Sequence, residues 1–204
     1  QELWVKLIGN FNAYNLLAIY GAADLLGLET LNTLQLMSEL ESVEGRFQYL
    51  ISKNNITAIV DYAHTPDALK NVLETINTIR TKNEELITVV GCGGDRDISK
   101  RPKMGAIAAT LSTKVIFTSD NPRNENPATI IDAIEKGVPG EYFSKTISIS
   151  DRKQAIKAAC QLANEGDIIL IAGKGHETYQ EIKGERFGFD DFKIINELLK
   201  ALNK

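Results

Sequence analysis

The sequence has few of the residues that disulfides and metal centres require. Its 204 residues include two cysteines, Cys92 and Cys160, and two histidines, His64 and His176. Two cysteines this far apart do not make the framework of a small secreted domain, so we expect reduced thiols and a cytoplasmic protein. Cys, His, Asp and Glu show none of the spacings of a known metal motif, so the sequence predicts no metal site of its own.

Two further absences limit the partners. Lys and Arg number 23 against 27 Asp and Glu, so the net charge is −4 and no basic excess points to nucleic acid. No apolar run approaches the ~20 residues of a membrane-spanning helix. Hydrophobic residues still make up 43% of the sequence, which is typical of a globular domain. The composition therefore predicts a globular protein with no nucleic-acid or membrane partner.

The sequence does contain an alternation of strand-like and helix-like segments. Helix-like stretches at 66–80, 101–111, 127–136 and 151–163 separate short runs rich in Ile and Val. Those runs are "ITAIVDY", "LITVVGCGG", "KVIFTSD", "TISIS" and "DIILIAGKG". This order predicts an α/β domain with a mostly parallel sheet and helices on both faces. A C-terminal β-hairpin turning at Gly184 and a helix from about Asp190 are expected to follow.

The first part of the chain does not follow this pattern. "LWVKLI" at 3–8 predicts a short strand, and residues 12–26 and 31–42 predict two helices. "VEGRFQYL" interrupts the helical pattern at Gly45, so we expect a domain boundary at 43–46. The sequence also begins within a pattern and without a methionine, so we expect a piece of a longer protein.

Four polar loops follow four of the predicted parallel strands. They run from Asp61 to His64, from Gly91 to Arg96, from Asp120 to Arg123 and from Gly173 to Glu177. Ligands of such folds bind at the carboxyl ends of the strands. We therefore expect these four loops to meet and to form a binding site.

Each loop has a functional and a plainer interpretation. In "DYAHTP", Asp61 suits a ribose hydroxyl or a metal-bound water, but Asp61 or Thr65 also suits the cap of the next helix. The glycines of "GCGGDRD" suit an anion, or form a tight turn with Arg96 in solvent. In "GKGHE", Lys174 suits a phosphate and Glu177 suits an ammonium group; the alternative is an ordinary glycine turn.

Two more segments hold polar side chains at informative spacing. In "DNPRNENP" at 120–127 the prolines restrict the backbone, so we expect Arg123 to be held in place for a carboxylate. The alternative is a surface turn in which Asp120 is a cap. In "FNAYN" at 11–15, Asn12 and Asn15 share one helix face and suit the edge of a base, unless Asn12 caps the helix.

Six motifs in one order resemble those of a known family. They are "GNFNAYNLLA", "EGRFQ", "DYAHTPDAL", "GCGGDRDISKRPKMG", "TSDNPR" and "GKGHE". Together they resemble the Mur ligases, ATP-dependent enzymes that add amino acids to the peptide of the bacterial cell-wall precursor. The similarity runs through nearly the whole chain. It is greatest to the MurE type, which adds meso-diaminopimelate to UDP-N-acetylmuramoyl-L-alanyl-D-glutamate.

The resemblance implies a domain assignment. Mur ligases have a uridine-nucleotide domain, a central ATPase domain and a Rossmann-like third domain that brings the incoming amino acid. Residues 1–44 would be the tail of the central domain, and 45–204 the third domain. The sequence contains no GxxxxGK[ST] loop, so most of the site for ATP and Mg²⁺ is expected outside this chain. The chain alone is then expected to bind the amino acid without turnover.

The resemblance also implies roles for single residues. Asn12 and Asn15 would contact the adenine region, while Arg46, Asp61 and His64 would act on the ATP side. The residues expected to hold meso-diaminopimelate are Arg96, Asp120, Asn121, Pro122, Arg123, Gly173 and Glu177. The chemistry agrees, because a diamino diacid needs arginines for its carboxylates and acids for its ammonium groups. In one departure, Glu44 stands where many relatives have proline, which puts the rigidity of the hinge in doubt.

Three alternatives stay open at this point. The first is a related ligase that adds lysine or glutamate, although lysine has no second carboxylate to engage Arg123. The second is a non-catalytic amino-acid-binding module. The third, a dinucleotide-dependent oxidoreductase, lacks the GxGxxG fingerprint and its acidic partner. Within the favoured class, meso-lanthionine carries the same end groups as meso-diaminopimelate.

Overall fold

The computed structural model describes residues 3–81 and 83–204. The chain divides into two units, Gln1–Val43 and Glu44–Lys204. The first unit consists of α1 (Asn10–Leu25) and α2 (Thr30–Ser38), which pack against each other. The two predicted helices are therefore confirmed, although α2 ends earlier than expected.

The strand predicted at 3–8 is wrong, because these residues form no strand. A strand needs a neighbour for its backbone hydrogen bonds, and the described part of this unit offers none. Leu16, Ala23 and Met37 are buried, while other apolar side chains of the unit are exposed. The exposed set includes Trp4, Tyr14, Leu17, Leu25, Leu26, Leu31 and Leu36.

The second unit is built on a six-stranded sheet in the order β1-β2-β6-β3-β4-β5. Its strands are β1 (Gln48–Ile51), β2 (Thr57–Asp61), β3 (Leu86–Val90), β4 (Lys114–Phe117), β5 (Thr146–Ser148) and β6 (Ile168–Ala172). Only β1 runs antiparallel to its neighbour among these described strands. The predicted, mostly parallel sheet is confirmed, with β1 as an additional edge strand.

Helices cover both faces of this sheet, as predicted. They are α3 (Pro66–Ile79), α4 (Lys100–Leu111), α5 (Pro127–Glu135), α6 (Arg152–Leu162) and α7 (Asp191–Ala201), with a 3-10 helix at Gly140–Lys145. Ala58 and Val60 of β2 belong to a core with α6 and α7. Ile59 between them points the opposite way, toward the face where α3, α4 and α5 pack in a row. Within the described residues, no helix has the length and apolar character needed to cross a membrane.

The predicted hairpin consists of β7 (Tyr179–Ile182) and β8 (Glu185–Gly188). Its two turn residues, Lys183 and Gly184, have φ angles of 49° and 81°. Two positive φ angles are typical of a type I′ turn, which matches the twist of the paired strands. A parallel bridge joins Ile182 to Arg123, so β7 lies directly against the loop that follows β4.

The strand order brings four carboxyl ends side by side. Asp61 at the end of β2 pairs with Ala172 at the end of β6, and Ala172 also pairs with Val90 of β3. Val90 in turn pairs with Phe117 of β4. The loops after these strands therefore start next to one another along one edge of the sheet.

Candidate functional site

The loop after β4 is fixed by the hairpin. Arg123 has a φ of 50°, and its backbone N–H donates to the Glu181 carbonyl at 3.0 Å. The Lys183 N–H donates to the Arg123 carbonyl at 2.8 Å. Asn121 and Pro122, just before Arg123, are buried. Both the N–H and the carbonyl of Arg123 are thus hydrogen-bonded to β7 and its turn.

The Arg123 guanidinium is anchored through two of its three nitrogens. Nη1 donates to the Gly94 carbonyl at 2.9 Å, and Nε lies 3.3 Å from Oε2 of Glu181. The third nitrogen, Nη2, makes no hydrogen bond to any of the described residues. The side chain is 19% exposed, so the guanidinium is oriented but not sealed from a ligand.

Asn121 is the residue on which three segments converge. Its Nδ2 donates to Oε2 of Glu177 at 2.8 Å, and its Oδ1 accepts from the Glu181 N–H at 2.9 Å. The same oxygen accepts from Nζ of Lys174 at 2.8 Å. The side chain therefore joins the loop after β4 to the loop after β6 and to β7.

Lys174 does not have the phosphate-binding arrangement that its glycine neighbours suggested. Its side chain is completely buried, and Nζ also donates to the Tyr179 carbonyl at 2.7 Å. Burial lowers the pKa of the Lys174 ammonium, an effect that Asp120 and Glu177 partly oppose. This ammonium orients Asn121 and Glu177 from within the protein.

Asp120 faces a buried ion pair. Oδ1 accepts from the Asn121 N–H at 2.7 Å, and Oδ2 lies 3.9 Å from Nη1 of Arg152. The Arg152 guanidinium also donates to both carboxylate oxygens of Asp191, at 2.9 and 2.7 Å. Burial opposes the charge of Arg152, but Asp191 and Asp120 outweigh it and raise the pKa of the guanidinium. The alternative that Asp120 caps a helix is wrong, because the cap of α5 is Asn126.

Gly173 lies against this carboxylate. Its φ is 121°, and its N–H donates to the Asp61 carbonyl at 3.0 Å. A Cβ at this position would lie 2.7 Å from Oδ2 of Asp120. Since no side chain fits there, glycine lets the strand end approach Asp120 closely.

The glycine loop after β3 lies between the two predicted arginines. A Cβ at Gly93 would lie 3.0 Å from Nη1 of Arg123 and 3.7 Å from Cγ of Arg96. Arg96 is exposed, as its plainer interpretation also predicted. The two guanidinium-bearing side chains therefore flank one glycine, at the same edge as Asp120 and Glu177.

Arg46 and His64 lie against the Tyr62 ring, and Asp61 directly precedes this tyrosine. Oδ2 of Asp61 accepts from the Phe47 N–H at 2.7 Å, and burial raises the pKa of this carboxyl. Nδ1 of His64 lies 2.9 Å from the Tyr62 carbonyl, and the Arg46 guanidinium carbon lies 5.9 Å from the Tyr62 ring centroid.

Two details of this cluster were not resolved by sequence alone. The cap of α3 is Thr65, whose hydroxyl accepts from the Ala68 N–H at 3.3 Å, so Asp61 is free of that role. His176 also lies against Tyr62, with 5.2 Å between ring centroids. Both histidines of the chain therefore flank one tyrosine.

The asparagines of α1 lie in the first unit. Nδ2 of Asn12 donates to the Ile8 carbonyl at 2.8 Å, and Nδ2 of Asn15 lies 3.3 Å from Oδ1 of Asn12. The residue at the cap position of α1 is Gly9, so the alternative of an Asn12 cap is wrong. Asn15 is exposed.

The described residues contain no group of three or more His, Cys, Asp or Glu side chains that could hold a metal ion. Asp61 is thus a single carboxylate rather than one ligand of a built metal site. Among the described residues, side chains alone do not supply a complete Mg²⁺ site.

Several residues of the site had no clear sequence signal. Arg152 and Asp191 are the first residues of their helices, where charged side chains are ordinarily solvated, yet both are fully buried. Gln180 donates to the Asp120 carbonyl at 2.7 Å, and Glu181 pairs with Arg123. Gln180 and Glu181 thus join β7 to the loop after β4, and Arg152 joins the start of α6 to the same loop.

The fold and this edge define an α/β domain whose strand ends gather arginine, carboxylate and amide side chains. The profile of the family "Mur ligase, glutamate ligase domain" matches residues 45–175. The chain therefore belongs to this Mur ligase family.

Curated proteins and solved structures agree with the family. The chain is 59% identical over 203 residues to the UDP-N-acetylmuramoyl-L-alanyl-D-glutamate–2,6-diaminopimelate ligase of Cytophaga hutchinsonii, covering 100% of the chain and 42% of that protein. It is 54% identical to the ligase of the same name from Bacteroides thetaiotaomicron, covering 97% of the chain and 41% of that protein. A solved structure with this name has a TM-score of 0.75 at 40% identity, over 99% of the chain and 41% of its own. The chain thus spans about two fifths of these relatives.

Proposed function

We propose that the chain is the amino-acid-binding part of a ligase that adds meso-diaminopimelate to UDP-N-acetylmuramoyl-L-alanyl-D-glutamate. The observation that carries this proposal is the hydrogen bond from Asn121 to Glu177, which joins the loop bearing Arg123 to the loop bearing Glu177. Guanidinium groups suit the carboxylates of a diamino diacid, and carboxylates suit its ammonium groups. Relatives at 59% and 54% identity carry the name of this activity, which supports the same substrate.

In this proposal each end of the amino acid has its own partners. Arg123, anchored at Nε and Nη1, offers Nη2 to the distal carboxylate, and Arg96 serves the other carboxylate. Asp120 and Glu177 take the ammonium groups. Asn121, Pro122 and Gly173 keep these side chains in place, as their contacts support.

The proposed reaction uses ATP and Mg²⁺ and takes place in the full-length cytoplasmic enzyme. ATP activates a carboxylate of the UDP-linked dipeptide as an acyl phosphate, which the amine of diaminopimelate attacks. We assign Arg46, Asp61 and His64 to the ATP side, and Asn12 and Asn15 to the adenine region. Residues 1–44 belong, in this proposal, to the ATPase domain and 45–204 to the amino-acid-binding domain; residues 1 and 2 lie outside the described residues.

Ligation by the full-length protein tests the proposal. ADP release is measured with ATP, Mg²⁺, the UDP-linked dipeptide and one amino acid at a time: meso-diaminopimelate, meso-lanthionine, L-lysine or L-glutamate. We expect ADP release that depends on diaminopimelate and exceeds that with lysine or glutamate by at least about a hundredfold. Lysine lacks the second carboxylate and glutamate lacks the second ammonium group, so each leaves part of the site unpaired. Preference for lysine or glutamate would support another ligase of the superfamily. Binding without ADP release would support a non-catalytic module.

A further inference from the structure

An ion pair between a buried arginine and a half-buried glutamate lies behind the two arginine-bearing loops. Arg101, in the first turn of α4, is 2% exposed. Its Nη1 donates to Oε2 of Glu125 at 2.9 Å and its Nη2 to Oε1 of Glu125 at 2.7 Å. This is a bidentate pair, the geometry in which arginine orients a carboxylate most strictly. Glu125 belongs to the loop after β4, the loop that carries Arg123.

The same pair reaches the glycine loop after β3. Oε1 of Glu125 accepts from the Asp95 N–H at 2.6 Å, and Nη2 of Arg101 lies 3.5 Å from the Gly93 carbonyl. The hydrogen bonds from Arg101, and then that from the Asp95 N–H, lower the pKa of Glu125 and so favour its ionised form. A single pair of side chains therefore bonds to both loops.

Two further contacts complete the junction between the loops. The Asn124 Nδ2 donates to Oδ2 of Asp95 at 2.7 Å, and the Gly94 N–H donates to the Asn121 carbonyl at 2.9 Å. We call Arg101, Glu125, Asp95 and Asn124 the loop clasp. Arg96 directly follows one of its members, and Arg123 directly precedes another.

We propose that Arg101 and Glu125 are positioning residues that set the separation between Arg96 and Arg123, and so select the length of the diamino diacid. This inference rests on the proposed function. Arg101 is buried and already shared between Glu125 and Gly93, so it acts through the loops rather than on the ligand. A ligand held at both ends is sensitive to the distance between its two anchors, because small misplacements of reacting groups reduce rates strongly.

Three variants separate positioning from folding. Arg101→Lys keeps the charge but loses the bidentate geometry. Glu125→Gln keeps the shape but weakens the pair. The double variant Arg101→Met with Glu125→Leu removes both charges, so neither is left unpaired inside the protein. Lys103→Met is the matched control, because Lys103 is an exposed cation on the same helix.

The experiment measures kcat/KM of the full-length enzyme for meso-diaminopimelate and for the homologous diamino diacids one methylene shorter and one longer. We expect wild type and Lys103→Met to prefer diaminopimelate by about tenfold or more over either homologue. In Arg101→Lys and in the double variant we expect kcat/KM for diaminopimelate to fall about tenfold or more, and the preference to shrink to about threefold or less. In Glu125→Gln, kcat/KM for diaminopimelate and the preference for it should also fall, but by less than in the other two variants. The KM values for ATP and the UDP-linked dipeptide should not change.

Outcomes that contradict the inference are distinct from those that contradict the proposed function. An equal fall for all three diacids, with the preference intact, would show that the clasp only supports the fold and would overturn the inference. Unchanged kinetics in the variants would do the same. If wild type itself shows no turnover that depends on diaminopimelate, the proposed function is overturned instead, and the length preference with it.

Discussion

Arg123 combines an unusual backbone conformation with a partly neutralised side chain. Its φ of 50° lies in a region that residues other than glycine seldom adopt. Hydrogen bonds to Glu181 and from Lys183 hold that conformation, and Gly94 and Glu181 orient the guanidinium. The proline before Arg123 restricts the backbone, and the hairpin adds two backbone hydrogen bonds that the sequence did not indicate.

We predict that Arg123→Ala in the full-length enzyme reduces kcat/KM for meso-diaminopimelate on the order of a hundredfold. The physical reason is a carboxylate left unpaired in a partly desolvated site, at a cost of about 2–4 kcal/mol. L-Lysine lacks that carboxylate, so it should be a poor substrate before the change and lose far less from it. The measurement is the ratio of the two specificity constants in wild type and variant.

Arg186→Ala provides the control for this ratio. Arg186 is an exposed arginine of the same hairpin, stacked 4.3 Å from the Tyr179 ring centroid. We expect its removal to leave the ratio unchanged. Equal losses for diaminopimelate and lysine in Arg123→Ala would mean that Arg123 only supports the loop.

Asp61 illustrates a conflict between stability and the proposed activity. Burial raises the pKa of its carboxyl, so the ionised form costs the folded protein stability at neutral pH. We predict that Asp61→Asn is as stable as wild type or more stable at pH 7, since the amide oxygen can still accept from Phe47. Turnover of the full-length enzyme should fall about tenfold to a hundredfold, the value of one hydrogen bond to a charged group.

The pH dependence follows from the direction of this shift. As pH falls through the raised pKa of folded Asp61, wild type binds a proton and gains stability relative to the Asn variant. The gain ends as the pH falls below about 3.8, the pKa of an unperturbed aspartate, because the carboxyl is then protonated in the folded and the unfolded protein alike. The stability difference measured by urea denaturation should therefore be larger at pH 7 than at pH 4. A difference that grows on acidification would contradict this account.

Asp67→Asn is the matched control for Asp61→Asn. Asp67 is exposed in the first turn of α3, where a negative charge favours the helix. Its neutralisation should lower stability slightly at pH 7 and leave turnover unchanged.

At the scale of elements, the central strands and the helices between them were predictable from sequence. Strands such as β3 and β6 are buried at every position, so they appear as continuous apolar runs. The edge strand β1 was missed because its residues alternate between half-buried and exposed, a weak signal over four residues. The insertion of β6 between β2 and β3 was not predictable, since periodicity carries no information on pairing.

The candidate site was predictable in the same partial way. Its loops could be found because the carboxyl ends of parallel strands share one edge. The contacts that orient its side chains could not, because Asn121 and Lys174 are separated by 53 positions and Arg101 and Glu125 by 24. Glycine spacing suggested a phosphate for Lys174, whereas its ammonium is buried and donates to Asn121 and to the Tyr179 carbonyl.

The hairpin turn provides a prediction for one element. Lys183 adopts a φ of 49° at a position where Asn is strongly preferred. We predict that Lys183→Asn stabilises the protein by about 0.5 kcal/mol, since Asn tolerates this conformation better than Lys. The Lys183 N–H bond to Arg123 uses the backbone and is kept, so affinity for diaminopimelate should not fall.

Lys183→Ala separates the turn effect from the loss of a lysine. Alanine lacks the side-chain amide that makes positive φ tolerable, so this variant should be no more stable than wild type. Urea denaturation of all three proteins measures the effect. Equal stabilisation by Asn and Ala would assign it to charge rather than to the turn.

At the scale of the whole molecule, the second unit contains every side chain proposed to contact the amino acid. A buried ion pair, Arg152 with Asp191, lies under these residues and approaches Asp120. In the proposed assignment, the residues that bind the amino acid and the buried charges beneath them therefore all lie within 44–204. The residues that the proposal assigns to the ATP side are Arg46, Asp61 and His64. The sequence has no GxxxxGK[ST] loop, and the described residues contain no group of three or more side chains that could hold a metal ion.

We therefore predict that the 204-residue chain, purified alone, binds meso-diaminopimelate but does not catalyse the ligation. Phosphoryl transfer depends on groups that cradle the phosphates and neutralise developing charge, and the chain carries no GxxxxGK[ST] loop for this purpose. We expect no phosphate release above background with ATP, Mg²⁺, the UDP-linked dipeptide and meso-diaminopimelate. Calorimetry should still detect diaminopimelate binding by the chain, weaker in Arg123→Ala than in Arg186→Ala. Phosphate release near the rate of the full-length enzyme would refute the assignment of the phosphate site to residues outside this chain.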